Sequence, residues 1–231
     1  MTRVALIHTV SSLVPVFKRL TDELMPGVET FNIVDESLLM NTIRDGHLQP
    51  ETMRRAIGYM ASAEEAGADA ILVTCSSIGP AVDAAQGLTR RPLLRVDLAM
   101  ADEAVRIGGR IGVLATLRTT LEPTTELIRA RAMAKGVTVD LASAVCEGAF
   151  EAATSGDLER HDKVVREALR GLIARVDVVV LAQASMARVA DSLPDTERTV
   201  PILSSPRLGV ARLAELLEGL EPQAMPVAPH M

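Results

Sequence analysis

The segment Arg3-Val-Ala-Leu-Ile-His-Thr9 recurs 107 residues later as Arg110-Ile-Gly-Val-Leu-Ala-Thr116, keeping the Arg, the Thr and the apolar run between them. A second pair follows at nearly the same offset. Asp69-Ala-Ile-Leu-Val-Thr-Cys-Ser-Ser77 lies 108 residues before Asp177-Val-Val-Val-Leu-Ala-Gln-Ala-Ser185, and Asp83 falls on Asp191. Two matches in one order at one spacing point to a duplicated chain, although any two buried parallel strands share such composition. Around them, short β-rich runs alternate with stretches of helical period, the pattern of βα units feeding a mainly parallel sheet. Strands are expected over Val4–His8, Glu29–Val34, Ala70–Thr74, Leu93–Arg95, Ile111–Ala115, Val137–Leu141, Val178–Ala182 and Val200–Leu203. Helical spacing covers Leu13–Met25, Pro50–Glu65, Ala81–Gln86, Leu98–Ile107, Glu122–Lys135, Asp157–Arg175 and Arg207–Glu218. The expected fold is α/β, with two pseudo-symmetric halves over 1–97 and 98–205, each a short parallel sheet flanked by helices. A helix over 206–220 is expected to pack back on the first half, and 221–231, with Pro222, Pro226 and Pro229, to form a disordered tail. Strand C-terminal ends then line a cleft between the halves, where ligands of open α/β sheets bind.

Composition narrows the function. With 48% apolar and 23% charged residues in 231, the chain can build a core under a charged surface, which excludes a disordered protein. A net charge of −6, no basic block and 2% aromatic residues without Trp exclude nucleic acid as a partner. Apolar runs such as Ala70–Val73 fall far short of the roughly 18–20 residues needed to cross a bilayer. The start of the chain lacks a small-residue cleavage site after an apolar core, so a cytoplasmic protein without membrane partners is expected. No His, Cys, Asp or Glu group has metal-ligand spacing, and no metal is expected. Gly108-Gly109-Arg-Ile-Gly112 precedes a strand, the wrong side for a dinucleotide loop, and no Walker-type sequence occurs, so no nucleotide cofactor is indicated.

Cys75 follows the apolar run Ala70-Ile-Leu-Val-Thr74 and precedes Ser76-Ser77-Ile78-Gly79-Pro80, a turn entering a helix. There, backbone N–H groups and the helix dipole favour a thiolate able to act as base or nucleophile. A small buried side chain at a strand end is the other reading of the same cysteine. His8 ends the first strand near the same cleft; it suits an acid–base partner, or a strand-end hydrogen bond. Asp35 and Glu36 either read an amino group or cap a helix, while Met40, Asn41 and Met186 either line a pocket or pack. Cys146, in a loop before a helix, reads as structural.

Thr74-Cys75-Ser76-Ser77, Arg110-Ile-Gly-Val-Leu-Ala-Thr116 and Leu181-Ala-Gln-Ala-Ser-Met-Ala187, in this order, resemble the aspartate/glutamate/hydantoin racemase superfamily over about residues 3–218. The resemblance implies two duplicated α/β halves, each giving one catalytic residue to the cleft. Cys75 is similar to the first catalytic cysteine of that family, and Ser76 and Ser77 to the donors beside it. The loop Ala115-Thr116-Leu-Arg-Thr119-Thr120 is similar to the family's carboxylate-binding loop, Ser11 and Ser12 sit at its first-half equivalent, and Ser185 falls on Ser77. Hydroxyls and N–H groups at helix starts suit a carboxylate and the enediolate formed from it, although each alone also serves as a helix cap. The resemblance further implies an isomerase without cofactor, a small carboxylate substrate and a dimer.

One position departs from the pattern. Where a two-cysteine racemase has its second thiol, this chain has Leu181-Ala182-Gln183, and an amide does not titrate. Racemisation needs a base on one face of the carbon and an acid on the other. The expected function is therefore racemase-like proton transfer next to a carboxylate with Cys75 as the single thiol, Gln183 donating a hydrogen bond from the far face and His8 a candidate partner. The alternatives are decarboxylation of a malonate-like acid or C=C isomerisation with the same thiol, or binding of a small acid without reaction. Lone-cysteine decarboxylases of the superfamily carry the thiol in the second half, so the placement here is mirrored.

Overall fold

The computed structural model describes residues 2–219; the tail expected over 221–231 lies outside the described residues. Its strands form two four-stranded sheets, all parallel. The first contains β1 (Arg3–His8), β2 (Glu29–Val34), β3 (Ala70–Val73) and β4 (Leu93–Arg95) in the order β2-β1-β3-β4. The second contains β5 (Arg110–Ala115), β6 (Asp140–Val145), β7 (Val178–Leu181) and β8 (Ile202–Ser204) in the order β6-β5-β7-β8. The two orders are the same, so the repeat seen in sequence is a repeat of topology.

The register repeats as well. Arg3 stands opposite Glu29 and Arg110 opposite Asp140. At the base of each sheet an aspartate accepts the first strand's N–H: Arg3 donates to Asp69 at 3.0 Å and Arg110 to Asp177 at 2.9 Å. β3 and β7 are buried throughout because helices cover both faces, which is why they read as unbroken apolar runs.

Helices α1 (Val14–Leu24), α2 (Glu36–Asp45), α3 (Pro50–Glu65) and α4 (Gly79–Ala85) belong to the first half by chain order, followed by α5 (Leu98–Ile107). Then come α6 (Arg118–Ala134), α7 (Ala149–Thr154), α8 (Leu158–Ile173), α9 (Ala187–Asp191) and α10 (Ser205–Glu218). The last helix after each sheet crosses to the other. α5 follows β4 but packs Met100, Ala101 and Ala104 with Ile111, Val113 and Val178 of the second sheet. α10 follows β8 but packs Val210 and Leu213 with Val4, Leu6 and Leu72 of the first. Close approach at Gly209 allows this: a Cβ there would lie 2.7 Å from the Val96 carbonyl oxygen.

Four elements, β6, α2, α7 and α9, differ from the sequence expectation; α9, five residues long, is too short to show a helical period. β6 occupies Asp140–Val145 rather than Val137–Leu141. Its residues, Asp-Leu-Ala-Ser-Ala-Val, have little strand preference, and pairing with β5 sets their place at the sheet edge. α2 and α7 were not expected as helices. α2 is started by Asp35, whose carboxylate accepts the Ser37 N–H at 3.0 Å, and stopped by Gly46 at φ +75°. α7 is only six residues long, too short to show a helical period.

Candidate active site

Four strand ends converge between the halves. Cys75, after β3, is extended (φ −127°, ψ 117°) and starts the tight turn Ser76–Ile78 that runs into α4. Gln183, after β7, has nearly the same backbone (φ −130°, ψ 138°) and starts the turn Ala184–Met186 leading to α9. Val10 and Leu117, after β1 and β5, are likewise extended before α1 and α6. An approximate two-fold relation therefore places Cys75 and Gln183 at equivalent points of one cleft. The cleft holds a cavity of about 260 Å³ lined by both residues.

Each of the two has a threonine partner at the equivalent position. In the second half, the Thr116 N–H donates to Gln183 Oε1, and its hydroxyl donates to the same oxygen at 2.9 Å. Holding Oε1 in this way leaves Nε2 as the group that Gln183 offers to a ligand. In the first half, Thr9 lines the cavity beside Cys75, and its buried hydroxyl makes no hydrogen bond within the protein. Burial pushes the Cys75 thiol up from its ordinary value. The Thr9 hydroxyl, the N–H groups of Ser77 and Ile78 and the Ser77 hydroxyl act in the opposite direction without overcoming it. The net direction is thus opposite to the one expected from the helix start alone, although the sulfur is partly open to the cavity. Across the cleft, Ser77 Oγ and Thr120 Oγ1 lie 2.8 Å apart, joining the halves at the cavity wall.

Of the residues singled out from sequence, Cys75, Gln183, Ser12, Ser76, Ser77, Thr116, Thr120 and Ser185 line this cavity, Ser12 and Ser185 being exposed. Three do not. His8 is fully buried: its Nε2 lies 2.9 Å from Asn32 Oδ1, its Nδ1 2.9 Å from the Thr74 hydroxyl, and its ring edges against Phe17. Burial lowers its pKa, despite the Asn32 hydrogen bond. With both ring nitrogens engaged behind Thr74, His8 fixes the strand end and has no path to a ligand. Ser11 gives its N–H to Glu36 Oε1 at 3.0 Å, outside the cavity lining. Thr119 points its hydroxyl into protein, where it finds no partner.

Asp35 caps α2 and binds Arg55 and Tyr59, so it is structural. Met40 is exposed and Met186 is buried in a core, whereas Leu39, next to Met40, reaches the cavity. Cys146 is buried among Leu114, Val165 and Leu181, where burial pushes its thiol up to about 11. Sequence reading also missed Thr9, Thr74, Phe150, Ala153, Thr154 and Ser205. The sheet registers would have paired two of the missed wall residues: with Arg3–Glu29 equivalent to Arg110–Asp140, Leu39 corresponds to Phe150.

The chain matches the family model described as Asp/Glu/Hydantoin racemase over residues 7–213. It belongs to the Asp/Glu/Hydantoin racemase family. Among solved structures, glutamate racemase isoform RacE1 from Bacillus anthracis is similar with a TM-score of 0.75 at 18% identity, over 94% of this chain and 82% of that one. The glutamate racemase from Thermus thermophilus gives 0.71 at 19%, over 96% and 84%. Allantoin racemase from Pseudomonas fluorescens gives 0.64 at 17%, over 99% and 100%. At these identities the likeness is one of fold. A comparison with curated proteins gives no match. Family membership supports a racemase-type activity for the cleft. Among the described residues, no helix is long and apolar enough to cross a membrane, and no group of three or more His, Cys, Asp or Glu could hold a metal ion.

Chemically, this family member sets one titratable sulfur against one amide donor. Its hydroxyls and turn N–H groups can accept and hold a carboxylate and the extra charge of its enediolate.

Proposed function

We propose that the chain is a cofactor-independent enzyme that moves a proton at the carbon next to the carboxylate of a small acid, with Cys75 as the only group holding that proton. One observation carries this reading: among the described residues lining the cavity, Cys75 alone has a side chain that titrates in the accessible pH range. The carboxylate is held at the Ser77–Thr120 hydroxyl pair, whose mutual hydrogen bond leaves one proton free to donate to it. The thiol first gives its proton to solvent; when the C–H bond breaks, its electrons enter the enediolate, the proton goes to the Sγ thiolate, and Gln183 Nε2 stabilises the charge from the opposite face.

The same site supports a second reading, favoured by Gln183 and by the raised Cys75 thiol. A malonate-like acid loses CO2, the electrons of the broken C–C bond form the enediolate, and the Cys75 S–H protonates the carbon. This route needs one proton donor at rest and no second base. C=C isomerisation remains the other single-thiol reaction.

An aryl group acidifies the reacting carbon, so 2-phenylpropionate and phenylmalonate in D2O form an informative pair, followed by NMR. Proton transfer puts deuterium at C2 of 2-phenylpropionate; decarboxylation puts it only into product from phenylmalonate. In either case Cys75→Ala is expected to lower the rate by about 10²–10⁴-fold with the fold intact by circular dichroism. An unchanged rate in that variant removes the thiol from the reaction. A wild-type protein that binds both acids and changes neither is a binding protein.

A further inference from the structure

We infer that the cavity selects an acid whose side chain is apolar and uncharged, and rejects one bearing an ammonium group or a side-chain carboxylate, as glutamate and aspartate do. The inference rests on reading the cavity as the substrate site, and it follows from what the walls lack and what they present. Among the described residues, no Arg, Lys, His, Asp or Glu lines the cavity. One carboxylate can be received at the Ser77–Thr120 hydroxyl pair. A charge carried on the side chain finds no ionic partner, and a buried unpaired charge costs several kcal/mol even after relaxation.

Part of the wall is suited to hydrocarbon. Leu13, Leu39, Phe150 and Ala153 line the cavity among uncharged hydroxyl residues, with Leu39 and Phe150 contributed by equivalent positions of the two halves. Charges nearby in the chain are already engaged. Glu36 accepts the Ser11 N–H, Arg55 is paired with Asp35, and Glu147 lies 4.0 Å from Arg118. The small volume, about 260 Å³, suits a short side chain.

A matched series on one carbon skeleton tests the inference by calorimetry. 2-Methylpentanoate has the glutamate chain with methyl groups for both extra charges, norvaline restores only the ammonium, 2-methylglutarate restores only the second carboxylate, and glutamate carries both. The expected result is that 2-methylpentanoate binds tightest and that each added charge weakens binding by about tenfold or more. Phe150→Arg, with its melting temperature checked, is expected to weaken 2-methylpentanoate and to strengthen 2-methylglutarate several-fold. Glutamate or 2-methylglutarate binding as tightly as 2-methylpentanoate to the wild type, or no measurable binding of 2-methylpentanoate, overturns the inference. Cys75→Ala alters no wall residue used here, so the preference should survive in it. A protein with the preference but without any reaction in D2O refutes the enzymatic reading alone; one that exchanges the C2 hydrogen of glutamate and binds it tightest refutes the specificity alone.

Discussion

The Cys75 thiol is pushed up for a reason that its position in the chain conceals. A turn N–H pair, a threonine and a serine all favour the thiolate, yet burial at the cavity floor outweighs them. The sequence motif was legible, and eight of the site residues named from it line one cavity, because each sits at a strand end whose place is set by the duplication. The balance of burial against hydrogen bonds was not legible, since it depends on walls brought in from the other half. His8 shows the same limit: its location after β1 was readable, but the partners Asn32 and Thr74 that claim its ring come from β2 and the end of β3. Both cysteines have consequences for stability. Their folded-state pKa values are raised, so the native chain keeps protons that the unfolded chain loses as pH rises through the ordinary thiol range. Stability is therefore complete below that range and is lost above it. For Cys146, pushed up to about 11, the unfolding free energy should fall by up to about 1.4 kcal/mol per pH unit between roughly 9 and 11. Urea titrations at several pH values should give this slope, and Cys146→Ala should reduce it; an equal slope in the variant would assign the loss to other groups.

The crossed helices α5 and α10 join the halves more firmly than the cleft contacts do, because each buries its apolar face on the sheet it does not follow. Gly209 sets how closely α10 approaches. A side chain there meets the Val96 main chain, which cannot rotate away as a side chain would. Gly209→Val should therefore lower stability by about 1–3 kcal/mol in chemical denaturation, and unchanged stability would mean that α10 has room to shift. Strands such as β3 and β7 were legible as buried apolar runs, and long helices such as α3 and α8 by their period. β6 was displaced because its Ala-Ser-Ala centre carries no strand signal and only the pairing with β5 fixes it. α7 was missed because six residues hold too little pattern, and with it went Phe150 and the apolar wall of the cavity.

Two sheets of one strand order, related by an approximate two-fold, turn a gene-scale repeat into a cleft with two equivalent and chemically unequal faces. A threonine stands at both faces: Thr9 lines the cavity beside the thiol, and Thr116 fixes the amide. The duplication itself was readable from Arg3–Thr9 and Arg110–Thr116, but that Thr9 and Thr116 serve as partners emerged only when the strand ends were placed together. The proposed function orients the ligand with its carboxylate at Ser77 and Thr120, where the halves touch, and its side chain toward Leu39 and Phe150, which line the same cavity. A crystal structure of the protein with bound 2-phenylpropionate tests this arrangement most directly. The expected complex has Cys75 Sγ and Gln183 Nε2 on opposite faces of C2, with the sulfur within about 3–3.5 Å of it, and the carboxylate at the Ser77–Thr120 hydroxyl pair. An acid bound with C2 out of reach of the sulfur, or with both groups on the same face, would contradict it.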